Sequence, residues 1–396
     1  MPSTLSLRAV LKPVSALALM LLAAQSVSAA DWVVSANDGK YQRVQGRDTY
    51  PDNAKPDTLT VLDASVFPPT VNQTVEVENG IQGPPQAAAI STDGKLALVA
   101  APTRYDSATQ QLQMDTFLQV VDLSAKPATV SRIELGSHPQ AVAFDRSGHW
   151  AVVTCVDGGV RPLRVEGNKV TLLDRIGIAG KRLAGAAFTH DGQHLLVSLR
   201  DESGVAVLNL VDGQWADSGD RVSTGVAPYT IDVSSDGHWA VVSNVGLAGL
   251  ANYKGRLLGD ADSVTLIDVS KTPFRAVQQL TVPSVPEGVA ISPDGKWIVA
   301  QSIDGSNLLP DNPGVKAHGT LTLFALRDGQ AVKVNQVADG NSSQGVVFSA
   351  DGKHVIVQFN VEHQLGLYSI ENGKLVDSNK RIEVSGGPSS LRSAPR

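Results

Sequence analysis

One block of residues recurs seven times along this chain, and this repeat restricts the possible folds more than any other feature. Each complete copy has an anchor residue, an alternating apolar stretch, an Asp-Gly or Ser-Gly pair and a second apolar stretch, as in Pro228-YTIDVSSDGHWAVVS. Successive anchors are 44 to 58 residues apart, at Pro85, Pro139, Leu183, Pro228, Pro286, Ser343 and Pro388. A repeat of this length that encodes strands is typical of a β-propeller with four-stranded blades.

Each copy of the block encodes a β-hairpin. Apolar residues three and five positions after the anchor, such as Ile231 and Val233, alternate as one face of a strand does. The Asp-Gly or Ser-Gly pair suits the tight turn that follows. Further strand-like segments come after each hairpin, for example Ser263-VTLIDVS, so that each blade has four strands.

The two ends of the chain complete each other. The N-terminal segments 31–39, 57–65 and 73–79 read as three strands without a first strand before them. The seventh copy of the block has only a first strand, with Leu391 at its apolar third position. We therefore predict an all-β, seven-bladed propeller of four-stranded antiparallel blades, the last closed by one C-terminal and three N-terminal strands. Closing the ring in this way leaves no exposed sheet edge.

On these motifs the chain resembles the YVTN-type seven-bladed propellers, which include lactonase-like and surface-layer-type proteins. The matching features are the anchored hairpin blocks and third strands such as Ser263-VTLIDVS, and they cover nearly all of the chain after residue 30. The motifs are architectural, so the resemblance implies a fold more strongly than a function. Known activities in this group include sugar-acid lactonases, muconate-lactonizing enzymes and an antibiotic lyase.

Residues 1–29 have the features of a cleaved secretory signal. Arg8 and Lys12 lie near an apolar run over 14–24, and Val27-Ser28-Ala29 is a small-residue cleavage site. We expect residues 30–396 to form one propeller domain in the periplasm or outside the cell, with no membrane span after cleavage. A retained N-terminal anchor is the alternative.

Composition limits the partners and the chemistry. The formal net charge is −6 and becomes about −8 when Arg8 and Lys12 leave with the signal, which argues against nucleic acid or an anionic membrane as a partner. Cys155 is the one cysteine, so no internal disulfide can form, and we expect it to be a buried apolar residue. No catalytic, haem-binding or phosphate-binding motif is present. We therefore expect no cofactor, no metal and a monomer.

Four long loops are predicted on one rim of the ring. Connections from the second to the third strand of a blade share a rim with the connections between blades, and the repeats differ in length mainly there. The long loops are 35–57, 101–116, 246–262 and 303–319. The first two belong to neighbouring blades, as do the last two, so we expect two loop clusters beside the channel mouth. Their tyrosines and mixed charges suit a polar ligand or a protein surface.

Position in the repeat selects the candidate ligand-binding residues. Residues next to the anchors begin the innermost strands at this rim, and others lie in the long loops. The candidates are Gln86, Gln140, Tyr229 and Gln344 beside the anchors, and Tyr105, Tyr253 and Arg256 in the loops. Four positions after the anchor, where most copies have a small residue, Asp232 and Arg392 stand out and can pair across the channel. The alternatives are a water-filled funnel and a frayed C-terminus.

Two functions stay open at this point. The first is binding of a polar small molecule or a periplasmic protein through the rim. The second, implied by the resemblance, is a lactonase-like hydrolase or a lyase/cyclase that acts on a lactone or cyclic acid at the channel mouth. For that enzyme, Glu287 is the candidate acid/base, and Arg104, Arg182 and His138 are candidates to stabilise negative charge. A perturbed acid in a deep polar pocket favours the enzyme, whereas a shallow, flat, aromatic rim favours the binding protein.

Overall fold

The computed structural model describes Met1 and residues 30–51, 53–246 and 260–396, which contain strands and no helix. The strands form seven main antiparallel sheets. The first strand of each sheet contacts the first strands of its two neighbours, and this series of contacts returns to its starting point. The predicted seven-bladed β-propeller is therefore confirmed.

Blades 1 to 6 follow the repeat in chain order. From first to fourth strand, blade 1 contains Ala88–Ile90, Leu96–Val99, Phe117–Asp122 and Thr129–Glu134. Blade 2 contains Pro139–Phe144, Trp150–Cys155, Gly159–Glu166 and Lys169–Leu172, and the short strand Ile176–Gly177 also pairs with its third strand. Blade 3 contains Ala186–Phe188, His194–Ser198, Val205–Val211 and Gln214–Val222. Blade 4 contains Pro228–Val233, Trp239–Asn244, Ser263–Asp268 and Arg275–Thr281; blade 5 contains Pro286–Ile291, Trp297–Ser302, Thr320–Arg327 and Gln330–Ala338; blade 6 contains Val346–Phe348, His354–Phe359, Gln364–Glu371 and Lys374–Glu383.

Blade 7 closes the ring with strands from both ends of the chain. In order, its strands are Gly387–Ser393, Trp32–Asp38, Thr58–Asp63 and Thr70–Glu76. The first two pair antiparallel, with Ser35 opposite Leu391. Gln358 of blade 6 donates its Nε2–H groups to Ser35 Oγ and to the Ser390 carbonyl, at 2.8 Å each, so the neighbouring blade holds both strands. The predicted closure is confirmed.

Apolar packing between blades forms the core. Seven hydrophobic clusters occur among the described residues, one at each interface between neighbouring blades. The turn between the first two strands of blade 1 shows why its Asp-Gly pair is needed: Gly94 has a φ of +70°, and a Cβ there would lie 2.2 Å from Nε1 of Trp32 in blade 7. Cys155 is fully buried as expected, and burial raises the pKa of its thiol to about 12.

Two of the long loops contain β-hairpins of their own. Gln42–Val44 pairs with Arg47–Thr49 in blade 7, and Thr103–Asp106 pairs with Gln111–Met114 in blade 1. We call them the 42–49 hairpin and the 103–114 hairpin. The 303–319 loop contains no strand. Most of the 246–262 loop lies outside the described residues.

Ring closure makes a testable contribution to stability. Leu391 is 1% exposed and packs with Val347 and Ile356 of blade 6. We expect Leu391→Ala to lower the free energy of unfolding by about 2–5 kcal/mol, because it removes a buried side chain and leaves a cavity. Urea unfolding followed by tryptophan fluorescence measures this loss. Leu309→Ala, at a leucine that is 38% exposed, should change little; equal losses in the two variants would contradict the account.

Candidate functional site

A cavity of about 180 Å³ lies at the mouth of the central channel, on the rim that carries the long loops. Tyr229, Glu287 and Gln344 line it from the first-strand regions of blades 4, 5 and 6. The 42–49 hairpin and the 79–83 connection between blades 7 and 1 line the other side. We call this cavity the mouth pocket. The structure thus brings together three of the residues that the repeat register singled out.

Arg43 holds the 42–49 hairpin over the mouth. Its Nη2 lies 2.6 Å from Asp48 Oδ1, its Nε donates to the Tyr41 hydroxyl at 2.9 Å, and its Nη1 donates to the Asn307 carbonyl at 3.1 Å. Asn307 belongs to the 303–319 loop of blade 5, so the hairpin of blade 7 spans blade 6 to reach it. We expected two loop clusters beside the mouth. The hydrogen bond from Arg43 to Asn307 connects a loop of one cluster to a loop of the other.

Three tyrosines support the hairpin. The rings of Tyr50 and Tyr105 stack with centroids 4.2 Å apart, and Tyr50 meets Tyr41 edge-on at 5.9 Å. Stacked and edge-on aromatic pairs of this kind stabilise beyond the area they bury. Tyr105 of the 103–114 hairpin therefore packs on Tyr50, directly after the 42–49 hairpin, and Tyr41 is the tyrosine of the three that lines the mouth pocket.

Asp38 connects the 42–49 hairpin to the 79–83 connection, the two segments that line this side of the mouth pocket. It is 1% exposed; Oδ1 accepts the Tyr41 N–H and Oδ2 accepts the Ile81 N–H, both at 3.1 Å. Lys40 Nζ bridges Asp38 at 3.1 Å and Asp57 at 2.7 Å. Burial raises the pKa of Asp38 to about 6, against the opposing effect of Lys40. Asp38 thus fixes the starts of both the hairpin and the 79–83 connection.

Among the titratable groups that line the mouth pocket, Glu287 is the best suited to acid/base chemistry. Its carboxyl makes no hydrogen bond to any residue in the described parts of the chain. Loss of water around the carboxyl raises its pKa to about 7, and the positive charges of Arg200 and Arg43 only partly oppose this. A carboxyl with this pKa can both accept and donate a proton near neutral pH.

Arg200 and Tyr229 complete the electrostatic surroundings of Glu287. The Arg200 guanidinium carbon lies 4.6 Å from the centroid of the Tyr229 ring, and its Nη1 donates to the Ala227 carbonyl at 2.9 Å. Burial raises the pKa of Tyr229, so the phenol stays neutral. The sequence repeat does not single out Arg200, because this residue follows the second strand of blade 3 at a position with no repeated pattern.

Gln86 spans the channel below the mouth pocket. Its Nε2 donates to the Ile231 carbonyl at 2.8 Å and its Oε1 accepts the Ile231 N–H at 3.1 Å. Ile231 is on blade 4, on the far side of the ring from blade 1. Gly185 makes room for the crossing, since a Cβ there would lie 2.1 Å from Gln86 Oε1. Gln86, expected as a ligand-binding residue, is instead engaged with the backbone.

The other acid/base and charge candidates lie outside the mouth pocket. Arg104 forms an exposed ion pair with Asp115, with Nε 2.7 Å from Oδ2. Arg182 pairs with Asp201 at 3.0 Å. His138 is buried with Nδ1 2.8 Å from the Asp115 carbonyl oxygen, and burial lowers its pKa. Arg43 and Arg200 are therefore the cations that act on Glu287.

The remaining ligand-binding candidates have separate locations. Gln140 is buried next to Gly83 and does not line the mouth pocket. Tyr253 and Arg256 lie outside the described residues. Asp232 and Arg392 form the expected pair, with 3.6 Å between Oδ1 and Nη1, but at the opposite end of the channel.

Within residues 30–51, 53–246 and 260–396, no three or more His, Cys, Asp or Glu side chains are grouped so that they could hold a metal ion. In the same part of the chain, no helix is long and apolar enough to cross a membrane.

Comparison with known proteins shows a shared fold. No protein-family model and no curated protein sequence matches the chain. A protein provisionally named 6-phosphogluconolactonase, from Bacteroides uniformis, matches with a TM-score of 0.67 at 12% identity, over 92% of this chain and 100% of its own. The periplasmic gluconolactonase of Pseudomonas aeruginosa matches with a TM-score of 0.64 at 16% identity, over 92% of this chain and 99% of its own. A functionally unknown protein from Desulfotomaculum acetoxidans matches with a TM-score of 0.63 at 14% identity, over 92% of this chain and 99% of its own. Such identities show the propeller fold alone, and membership of the YVTN-type family stays a prediction.

The raised pKa of Glu287 makes stability depend on pH. Because the folded-state pKa of about 7 exceeds the ordinary value of 4.5, the proton on Glu287 stabilises the fold below pH 4.5, and this contribution is lost as the pH rises through 7. Glu287→Gln is neutral at every pH. We expect it to match the parent protein at pH 4.5 and to be more stable at pH 8.5, by about 3 kcal/mol.

Urea unfolding at the two pH values measures this difference. Glu371→Gln, at the exposed last residue of the third strand of blade 6, is the matched control and should show no pH-dependent difference. The same difference at both pH values for Glu287→Gln would contradict the raised pKa.

Proposed function

We propose that the protein is an exported hydrolase that opens a small polar lactone in the mouth pocket, with Glu287 as the acid/base. The observation that carries this proposal is the partly buried carboxyl of Glu287 in a polar cavity at the channel mouth, with its pKa raised to about 7. A small concave cavity favours a small molecule over a protein partner, which would need a broad accessible surface. The names of the gluconolactonase neighbours support the same substrate class.

The mouth pocket suits a single ring that carries hydroxyl groups. Its volume of about 180 Å³ is that of a small ligand, and its lining mixes donors and acceptors from Tyr41, Arg43, Asp48, Gln82 and Gln344. Arg43 uses three of its five N–H groups within the protein, which leaves two for a substrate oxygen. Arg43 therefore combines a fixed position with free donors.

The proposed reaction needs one water molecule and no other reactant. The ionised Glu287 carboxylate takes a proton from the water, whose oxygen attacks the lactone carbonyl carbon. Arg43 stabilises the negative charge that develops on the carbonyl oxygen. The ring C–O bond then breaks, and the departing alkoxide takes the proton from Glu287. The product is the open hydroxy acid, and Glu287 returns to its ionised form.

We also propose a periplasmic location. Its support is the signal-like sequence of residues 1–29, of which 2–29 lie outside the described residues, and the periplasmic location named for the Pseudomonas neighbour. Fractionation of cells that express the full chain, with N-terminal sequencing of the product, tests both the location and the cleavage site.

Hydrolysis of five-membered sugar-acid lactones, followed in a pH-stat, tests the enzymatic proposal. We expect kcat/KM to rise with pH through about 7 and then level off, because the ionised carboxyl is the base. Glu287→Gln should lower kcat by about 100-fold or more, whereas Glu371→Gln should leave it unchanged. Activity that survives in Glu287→Gln would refute the mechanism. Saturable lactone binding without hydrolysis would instead support the binding-protein hypothesis.

A further inference from the structure

The channel ends at the opposite rim in a second cavity of about 90 Å³. The first strands of blades 1 to 5 and the C-terminal segment 392–396 line it. This cavity, which we call the far pocket, shares no lining residue with the mouth pocket. The side chain of Gln86 crosses the channel between the two sets of lining residues. The far pocket is therefore a separate site that the proposed lactonase chemistry does not use.

Two charged side chains occupy positions where the other blades have small ones. Four residues after the anchor, the other five blades carry buried alanine or valine, at Ala89, Ala143, Ala187, Ala290 and Val347. Blades 4 and 7 carry Asp232 and Arg392 there, on opposite sides of the ring, and both line the far pocket. Packing does not require a charge at this position, as the five small residues show.

Arg392 has free donors in this cavity. Its side chain is 17% exposed, yet it makes no hydrogen bond to any described residue. The nearest carboxylate oxygen, Asp232 Oδ1, is 3.6 Å from Nη1, which is beyond hydrogen-bond distance. Asp232 Oδ2 accepts the Ile291 N–H at 3.0 Å, and this bond holds the carboxylate on the blade 5 side. Burial lowers the pKa of Arg392 and raises that of Asp232, so their mutual attraction does not offset the loss of water.

The rest of the lining adds positive charge. Arg146 of blade 2 has no carboxylate partner among the described residues, and its Nη1 lies 2.6 Å from His190 Nε2 of blade 3. Arg396 is neutralised by Asp31 at 2.6 Å and also donates to the Phe348 carbonyl. Among the described residues that line the far pocket, Asp232 has the one carboxylate side chain, against Arg146 and Arg392, neither of which is hydrogen-bonded to a carboxylate.

We propose that the far pocket binds the oxyanion group of a small molecule, a carboxylate or a phosphate, with Arg392 as the main ligand and Arg146 as a second cation. A planar guanidinium with free N–H groups pairs with two oxygens of such a group at once. The cavity of about 90 Å³ admits one acid group and little more. This site is independent of the function proposed for the mouth pocket.

Calorimetric titration with inorganic phosphate and, separately, with acetate tests the proposal on the chain from residue 30, at low ionic strength in a buffer without oxyanions. We expect saturable binding of at least one of the two probes. Arg392→Gln should weaken it by about tenfold or more, because the main charged hydrogen bonds are lost. Asp232→Asn should strengthen it by about threefold or more, because a competing negative charge is removed.

Arg104→Gln, at an exposed arginine outside both cavities, is the matched control and should bind like the parent protein. Circular dichroism checks that each variant is folded. Binding of phosphate alone assigns a phosphoryl ligand, whereas binding of acetate assigns a carboxylate. The proposal is overturned if neither probe binds the parent protein or Asp232→Asn, or if binding is the same in folded Arg392→Gln.

Discussion

The pairing of Gly387–Ser393 with Trp32–Asp38 is the interaction on which the rest of the structure depends. Without it, the seven first strands do not form a closed ring, and equivalent positions of the repeat do not meet around one axis. The closed ring places Tyr229, Glu287 and Gln344 at one mouth of the channel and Asp232 and Arg392 at the other. It also brings blades 1 and 4 across from each other, so that Gln86 can reach Ile231 and divide the channel.

The sequence repeat was sufficient to predict the blades, the closing strand and the register of the channel-lining residues, because every blade needs the same hairpin. That register also predicted the pairing of Asp232 with Arg392. The repeat could not predict the roles of Arg43 and Arg200, whose contacts depend on non-repeated loops and strand ends. It also gave no sign that the Gln86 amide bonds the backbone of Ile231, because this contact depends on the missing side chain of Gly185 on another blade.

The 42–49 hairpin at the channel mouth contributes to the chemistry proposed for Glu287. The 42–49 hairpin lines the mouth pocket and supplies Arg43 as a cation near Glu287, and burial of the Glu287 carboxyl raises its pKa. Asp38 accepts the Tyr41 N–H where the hairpin starts, Asn307 accepts from Arg43 within it, and Tyr105 stacks on Tyr50 just after it. An uncovered mouth would be a wet funnel, in which a carboxylate has an ordinary pKa and little use as a proton donor near neutral pH.

A direct titration of the Glu287 carboxyl tests this account most sharply. The side-chain carboxyl carbon of Glu287 can be followed by NMR across the pH range in protein with ¹³C-labelled glutamate, and the signal that disappears in Glu287→Gln identifies it. We predict a midpoint close to pH 7. A midpoint close to the ordinary value of 4.5 would contradict it, because the carboxyl would then be hydrated and the mouth pocket open.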